Sequence, residues 1–85
     1  MRRELPYFYG IYDNPDAELF KRQCAAIEKN IPALKKEPLL EDVDGSSFQT
    51  YLHAKGRINV CNDYCLGDLY VESDFDLLPF FKEEP

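Results

Sequence analysis

The segment from Ser47 to Cys61 constrains the fold of this chain most, because it fits two different structures. In the first, Ser47 and Gly56 cap the two ends of a short helix. In the second, Ala54-Lys55-Gly56 is a three-residue loop between two antiparallel strands, with the glycine in a left-handed conformation. The choice is between a helix and a β-hairpin at the centre of the chain.

The hairpin separates apolar from polar side chains. Strands at 47–53 and 57–61 would pair Leu52 with Ile58 and Thr50 with Val60. One face would carry Phe48, Thr50, Leu52, Ile58 and Val60, and the other Gln49, Tyr51, His53, Arg57 and Asn59. Burial of a single sheet face requires such a separation. We therefore predict the hairpin, with a helix over residues 47–55 as the alternative.

Residues 15–30 carry the signals of an amphipathic helix. Asn14 is a suitable N-cap, and Pro15 suits the first helical position. Asn30 and Pro32 mark the end of the helix. Its apolar residues recur at helical spacing, at Phe20, Cys24, Ile27 and Ile31.

The remaining apolar segments complete an α+β fold. Residues 6–12 are rich in aromatics and predict a first strand. Residues 69–72 predict the last strand, followed by a short C-terminal helical turn near Leu77 and Leu78. The predicted architecture is strand, helix, and a three-stranded antiparallel meander with the helix packed on one face. The predicted contacts of helix and sheet involve Phe20, Cys24, Ile27, Phe48, Leu52, Ile58, Val60, Leu69 and Val71.

Length and composition predict one small folded domain over residues 1–85. Hydrophobic residues make up 45% and aromatics 14%, which is far above a disordered chain of similar charge. Met1-Arg2-Arg3 is followed by Glu4 and Pro6 and not by an apolar signal segment. We therefore expect a cytoplasmic protein, whose three cysteines are reduced.

The cysteines and the histidine are enough in number for a zinc site, but their positions in the sequence do not favour one. Cys61 and Cys65 have an acceptable spacing for zinc, with His53 and Cys24 elsewhere. However, Cys24 lies on the apolar face of the predicted helix, and no second close-spaced pair exists. We expect no metal and no cofactor.

Catalytic chemistry is not indicated either. His53 is the only histidine, and in the hairpin Cys61 lies opposite residue 49 and not beside it. Glycine-rich phosphate loops are absent, since the four glycines are scattered. We expect a protein that is not an enzyme. No motif of a known family is recognisable.

Charge is distributed unevenly along the chain. Residues 1–36 carry seven Lys/Arg and five Asp/Glu, a net +2, whereas residues 37–85 carry three and eleven, a net −8. Such a field repels nucleic acid and anionic membranes and attracts a basic protein. We expect binding to neither nucleic acid nor membrane.

The last third of the chain mixes acids with tyrosines. Alternation places Asp68, Tyr70 and Glu72 on one face of the last strand, which we expect to be its solvent face or the face that a partner covers. The candidate partner-binding residues are Asp63, Tyr64, Asp68, Tyr70, Glu72, Asp74 and Asp76. Tyrosines supply contact area, and carboxylates steer a basic target. An acidic surface also aids solubility without any partner.

The hypothesis that follows is a non-enzymatic acidic protein-binding module. More specifically, it is an inhibitor or immunity-type protein that blocks a basic nucleic-acid-handling target, such as a toxin nuclease. One alternative is a small metal-stabilised or nucleic-acid-associated domain that uses Cys61, Cys65 and the basic first half. Another is a homodimeric accessory subunit, in which strand 6–12 is an exposed edge that pairs with a second copy.

Overall fold

A computed structural model describes residues 5–81 as one α-helix and a six-stranded antiparallel sheet. The elements are β1 (Tyr7–Tyr12), α1 (Ala17–Asn30), β2 (Lys35–Lys36), β3 (Leu40–Glu41), β4 (Ser47–His53), β5 (Gly56–Asp63), β6 (Asp68–Ser73) and a 3-10 turn (Leu78–Phe81). The strand order is β1-β6-β5-β4-β2, and β3 also pairs with β4. The α+β class is thus confirmed. The predicted meander is β4-β5-β6, but β1 joins β6 and two short strands join β4, so the sheet is wider than predicted.

The β4–β5 hairpin is confirmed, but its predicted register is wrong. His53 pairs with Gly56 and Tyr51 with Ile58, so only two residues connect the paired positions. This shift places Tyr51, and not Leu52, on the face with Ile58 and Val60. Tyr51 is fully buried, and its hydroxyl donates a hydrogen bond to Glu28 Oε2 at 2.6 Å. A tyrosine ring can be buried in a core when its hydroxyl has such a hydrogen-bond partner. The prediction treated Tyr51 as a polar residue of the outer face and was therefore wrong.

Helix α1 begins two residues later than predicted and ends at Asn30. Its N-cap is Asp16, whose carboxylate accepts a hydrogen bond from Leu19 N–H at 3.0 Å. The backbone N–H of Asp16 donates to Asn62 Oδ1 at 2.8 Å, which joins the start of the helix to the end of β5. Asn14 is therefore not the cap, because the tertiary contact with Asn62 fixes the start at Asp16.

The core lies between α1 and one face of the sheet, which we call the inner face. It contains Phe20, Ile27, Ile31, Tyr51, Ile58, Val60, Leu69, Val71, Phe75 and Leu77. The predicted contacts of the helix with β5 and β6 are present, whereas Phe48 and Leu52 lie outside this buried cluster and Cys24 is only half-buried. Each fully buried large side chain contributes about 1.5–3 kcal/mol. No helix among residues 5–81 is long and apolar enough to cross a membrane.

Candidate functional site

Four segments of the chain meet at one end of the sheet. Tyr12 at the end of β1 pairs with Leu69, next to Asp68. Glu41 at the end of β3 pairs with Ser47, which in turn pairs with Asn62. The start of α1 reaches the same place through the hydrogen bond between Asp16 and Asn62. We call this region the acidic end, and define it by Asp13, Glu41, Asp42, Asp44, Tyr64 and Asp68.

The turn between β3 and β4 is held by its own aspartates. Asp42 N–H donates to Ser46 O at 2.9 Å, and its carboxylate accepts from Val43 N–H at 2.9 Å. The carboxylate of Asp44 accepts from Ser46 N–H at 2.9 Å. Gly45 has a φ of 95°, a left-handed conformation that favours glycine. These bonds fix a tight turn whose acidic side chains are exposed.

The turn between β5 and β6 is organised by Asp63, which is fully buried. Its Oδ1 accepts from the N–H groups of Cys65 and Leu66 at 2.9 and 3.1 Å, and its Oδ2 accepts from the Tyr70 hydroxyl at 3.1 Å. Tyr64 N–H donates to Ser46 Oγ at 2.9 Å, which ties this turn to the one before β4. Tyr64 is thereby presented with half of its surface (50%) exposed.

Between residues 37 and 81, positive charge occurs only at the end of the sheet away from the acidic end. Residues 37–54 and 58–81 contain no Lys or Arg. Lys55 and Arg57 lie at the β4–β5 turn, and Lys35 pairs with Leu52 near the same end of the sheet. Lys21 and Arg22, however, lie in the second turn of α1, the helix that starts at the acidic end. We call the end with the β4–β5 turn the opposite end.

The predicted partner-binding residues occupy three places and do not form one surface. Tyr64 and Asp68 belong to the acidic end, with Asp63 buried beneath them. Tyr70 and Glu72 are buried on the outer face of β6, at 1% and 3% exposure. Asp74 and Asp76 lie beyond β6, at the opposite end.

The outer face of β6 is not a solvent face at Tyr70 and Glu72. As predicted, these residues share a face with Asp68, away from Leu69 and Val71. However, the Phe8 ring lies 5.2 Å from the Tyr70 ring, and Asn59 Nδ2 donates to Glu72 Oε2 at 3.0 Å. Burial, with Cys61 and Asp63 nearby, raises the pKa of Tyr70 above its ordinary value. The expectation of a solvent face is therefore wrong for these two side chains.

Asp74 and Asp76 serve the fold itself. Asp74 Oδ2 accepts from Arg57 N–H at 2.8 Å and lies 3.8 Å from Arg57 Nε. Asp76 Oδ1 accepts from the Tyr9 hydroxyl at 2.9 Å, and this hydroxyl accepts from Leu77 N–H at 2.8 Å. These contacts fasten the segment after β6 to β5 and β1.

The acidic end includes residues that the sequence did not point to. Asp13, Glu41, Asp42 and Asp44 were not among the predicted partner-binding residues. The signal that could have found them is the alternation of turns in an antiparallel sheet. Every second turn lies at the same end, so the turns before β4 and after β5 must be neighbours.

Metal ligation receives no geometric support in the part of the chain that the structure describes. Among residues 5–81, no group of three or more His, Cys, Asp or Glu side chains is arranged to hold a metal ion. Cys61 is buried in β5, Cys65 is exposed in the next turn, and Cys24 is half-buried on α1, where burial raises the pKa of its thiol. His53 lies at the opposite end, 4.9 Å from the Phe75 ring.

Comparison with known proteins gives no match: no family model fits the chain, and neither a curated protein nor a solved structure resembles it significantly. The functional argument therefore depends on the acidic end alone.

Proposed function

We propose that this protein is a non-enzymatic binding module whose acidic end binds a basic protein. The supporting observation is the convergence of Asp13, Glu41, Asp42 and Asp68 with the exposed ring of Tyr64 at one end of the sheet. Residues 37–54 and 58–81, which include four of these five side chains, contain no lysine or arginine. The target class that fits is a nucleic-acid-handling protein, such as a toxin nuclease, so that the module acts as an inhibitor or immunity-type protein.

Inhibition would follow from competition for one surface. A nuclease binds its substrate through basic side chains that contact phosphates. A rigid array of carboxylates meets the same side chains, and the field of the acidic end raises the rate of encounter. Tyr64, Tyr12 and Leu66 are exposed beside the carboxylates and supply apolar contact area. No catalytic step is needed, because occupancy alone excludes nucleic acid.

The experiment is a titration of the protein with a basic ribonuclease and with poly-lysine, at low and high salt, together with a nuclease activity assay. We expect complex formation that weakens steeply as salt rises, because exposed charges more than about 10 Å apart are screened at 0.1 M salt. Glu41→Lys and Asp68→Lys should each weaken binding about tenfold and reduce its salt dependence.

The control is Glu37→Lys, which changes the net charge by the same amount beside Lys35 and Lys36, away from the acidic end. It should leave most of the binding intact. Tyr64→Ala should weaken binding without changing its salt dependence, because it removes contact area and no charge. Binding that does not respond to salt, or equal losses for Glu37→Lys and Glu41→Lys, would contradict the proposal.

A further inference from the structure

Strand β1 lies at the edge of the sheet. It pairs with β6 on one side, and no strand among residues 5–81 pairs with its other side. An edge strand presents backbone N–H and C=O groups that can hydrogen-bond another strand. Proteins usually guard such an edge with lysine, proline or an inward-pointing charge, and residues 7–12 contain none of these.

Apolar surface accompanies this edge on the inner side of the sheet. Tyr7 and Ile11 are 41% and 38% exposed. Between β1, α1 and the C-terminal turn lies a groove of about 150 Å³, lined by Tyr9, Ile11, Ile27, Leu77, Leu78 and Phe81. A strand added to β1 would place its alternate side chains beside this groove. Recognition of an extended segment by a sheet edge combines backbone bonds with such side-chain pockets.

We infer that the occupant of this edge is a second copy of the chain, paired with it through an antiparallel β1–β1 contact. Residues 7–12 carry no charge, in a chain whose net charge is −6. Two copies can therefore meet at β1 without bringing carboxylates together, and a basic partner would find no countercharge on the strand. Antiparallel pairing also places the two acidic ends at opposite ends of the dimer, where their repulsion is weakest.

The register of the pair is centred on Tyr9. In this register Phe8 of one copy lies opposite Gly10 of the other, and Tyr7 lies opposite Ile11. On the outer face at Gly10, the Phe8 ring is the one group among the described residues that comes within 4.0 Å of the position that a Cβ would occupy. An aromatic ring across the strand from a glycine covers the exposed backbone there. Phe8 and Gly10 are thus the two complementary parts of the contact, and each is one residue from Tyr9 at the centre of the pair.

The pairing should end beyond Ile11. The register of β1 against β6 shifts between Gly10 and Tyr12, so the pairing of Tyr7 to Gly10 does not continue regularly to Tyr12. An irregularity such as a bulge bends its strand and interrupts regular pairing. The interface therefore covers residues 7–11 of each copy and leaves the acidic ends accessible for their own partner.

Sedimentation equilibrium over a range from micromolar to millimolar protein tests the inference. We expect the wild type to approach twice the chain mass of 9.9 kDa. In the variant Y7K/I11K, the lysine at position 7 of each copy lies opposite the lysine at position 11 of the other. We expect at least about tenfold weaker association, because like charges directly opposite are destabilising. In Y7K/I11E an introduced lysine faces an introduced glutamate, and we expect association to recover.

Val43→Lys is the matched control, because Val43 is fully exposed in the turn before β4, far from β1. It should associate like the wild type, and circular dichroism should show that each variant is folded. A monomeric wild type at millimolar concentration overturns the inference, as does a Y7K/I11K variant that dimerises normally.

Amide hydrogen exchange on the wild type gives a second measurement that needs no substitution. Backbone N–H groups of residues 7–11 that point away from β6 should be protected in concentrated protein and exchange faster on dilution. Exchange that does not depend on concentration overturns the inference. The dimer and the acidic end are separable, because Glu41→Lys should leave dimerisation unchanged and Y7K/I11K should still bind poly-lysine.

Discussion

Gly56 allows two segments that are distant in the sequence, the β4–β5 turn and the segment after β6, to pack closely together. Its φ of 142° lies in the region that favours glycine, and an added Cβ would come within 2.3 Å of Asp74 Cβ. Asp74 is held there by two backbone contacts with Arg57, since Asp74 N–H donates to Arg57 O at 3.0 Å and its carboxylate accepts from Arg57 N–H. The absence of a side chain at Gly56 is what lets the segment after β6 close against the β4–β5 turn.

Gly56→Ala should therefore lower the free energy of unfolding by about 3 kcal/mol or more, because the new methyl group adds a clash with the Asp74 side chain to the conformational strain. Gly67→Ala is the matched control. Gly67 has a φ of 77° but nothing within 4 Å of its Cβ position. It should cost only the roughly 1–2 kcal/mol of a left-handed non-glycine residue. Urea denaturation measures both, and equal losses would show that contact with Asp74 is not important.

The sequence predicted a special conformation at Gly56 but assigned Asp74 to partner binding. Turn chemistry is local and can be inferred from neighbouring residues. The contact between Gly56 and Asp74 depends on the direction in which the chain leaves β6, and no local pattern encodes that direction. Asp63 was also assigned to partner binding, but its carboxylate caps the β5–β6 turn and accepts from the Tyr70 hydroxyl, and it is therefore buried.

At the scale of elements, the short strand β2 is tied to the helix by a cluster of three side chains. The Tyr51 hydroxyl donates to Glu28 Oε2, and Lys36 Nζ lies 3.0 Å from the same oxygen. These two partners lower the pKa of Glu28, with the Tyr51 hydrogen bond as the larger cause. Two residues of backbone pairing with β4 alone would hold β2 weakly, so the cluster contributes to its position.

This cluster predicts a pH dependence. The pKa of Glu28 is lower in the folded state than in the unfolded chain. The stabilisation is therefore fully present above the unfolded value, about 4.3, and is lost as the pH falls through the folded pKa. The side chain is 41% exposed, so the effect is at most about 1 kcal/mol.

The measurement is urea unfolding of the wild type and Glu28→Gln between pH 7 and pH 3. The two should differ most at pH 7 and converge in acid. Glu18→Gln serves as a control, because Glu18 is an exposed glutamate in the first turn of the same helix. Curves for the wild type and Glu28→Gln that stay parallel over the whole range would contradict this account.

The longer elements were predictable, and the shortest were not. Apolar spacing and the end signals Asn30 and Pro32 locate α1, and alternation locates β5 and β6. The inner and outer faces of β4 were predicted wrongly because of Tyr51. Its amphipathic ring was counted as polar in the alternation pattern, but it packs in the core as an apolar group. Strands β2 and β3 have two residues each, which is too short for any periodicity. Their pairing depends on how the loop runs along the open edge of β4.

For the molecule as a whole, the fold brings carboxylates from distant parts of the sequence to one end of the sheet. The net charges of the halves were evident from the sequence. Their spatial arrangement was not, because it requires knowing that the turns before β4 and after β5 adjoin while Lys55 and Arg57 lie at the opposite end. The seven candidate residues were therefore chosen as neighbours along the chain, and only Tyr64 and Asp68 remain together on an exposed surface.

A pair of matched substitutions separates charge distribution from net charge. Glu41→Lys relieves repulsion at the acidic end and should raise the free energy of unfolding by about 0.5 kcal/mol at low salt. Glu37→Lys changes the net charge equally but adds a third cation next to Lys35 and Lys36, so we expect no gain.

Thermal unfolding at 20 mM and 1 M sodium chloride measures both variants. The benefit of Glu41→Lys should vanish at high salt, where the screening length is about 3 Å. If both variants gave the same change, net charge and not its arrangement would govern stability.

The burial of Asp63 has a consequence for the speed of recognition. This carboxylate holds the β5–β6 turn in one conformation before a partner binds. The turn that carries Tyr64 therefore does not have to change its conformation during binding. A docking protein would then be captured at a rate set by diffusion and attraction, with little delay for rearrangement. A loosened turn, as in Asp63→Ala, should slow capture even though the exposed carboxylates that guide the approach are all still in place.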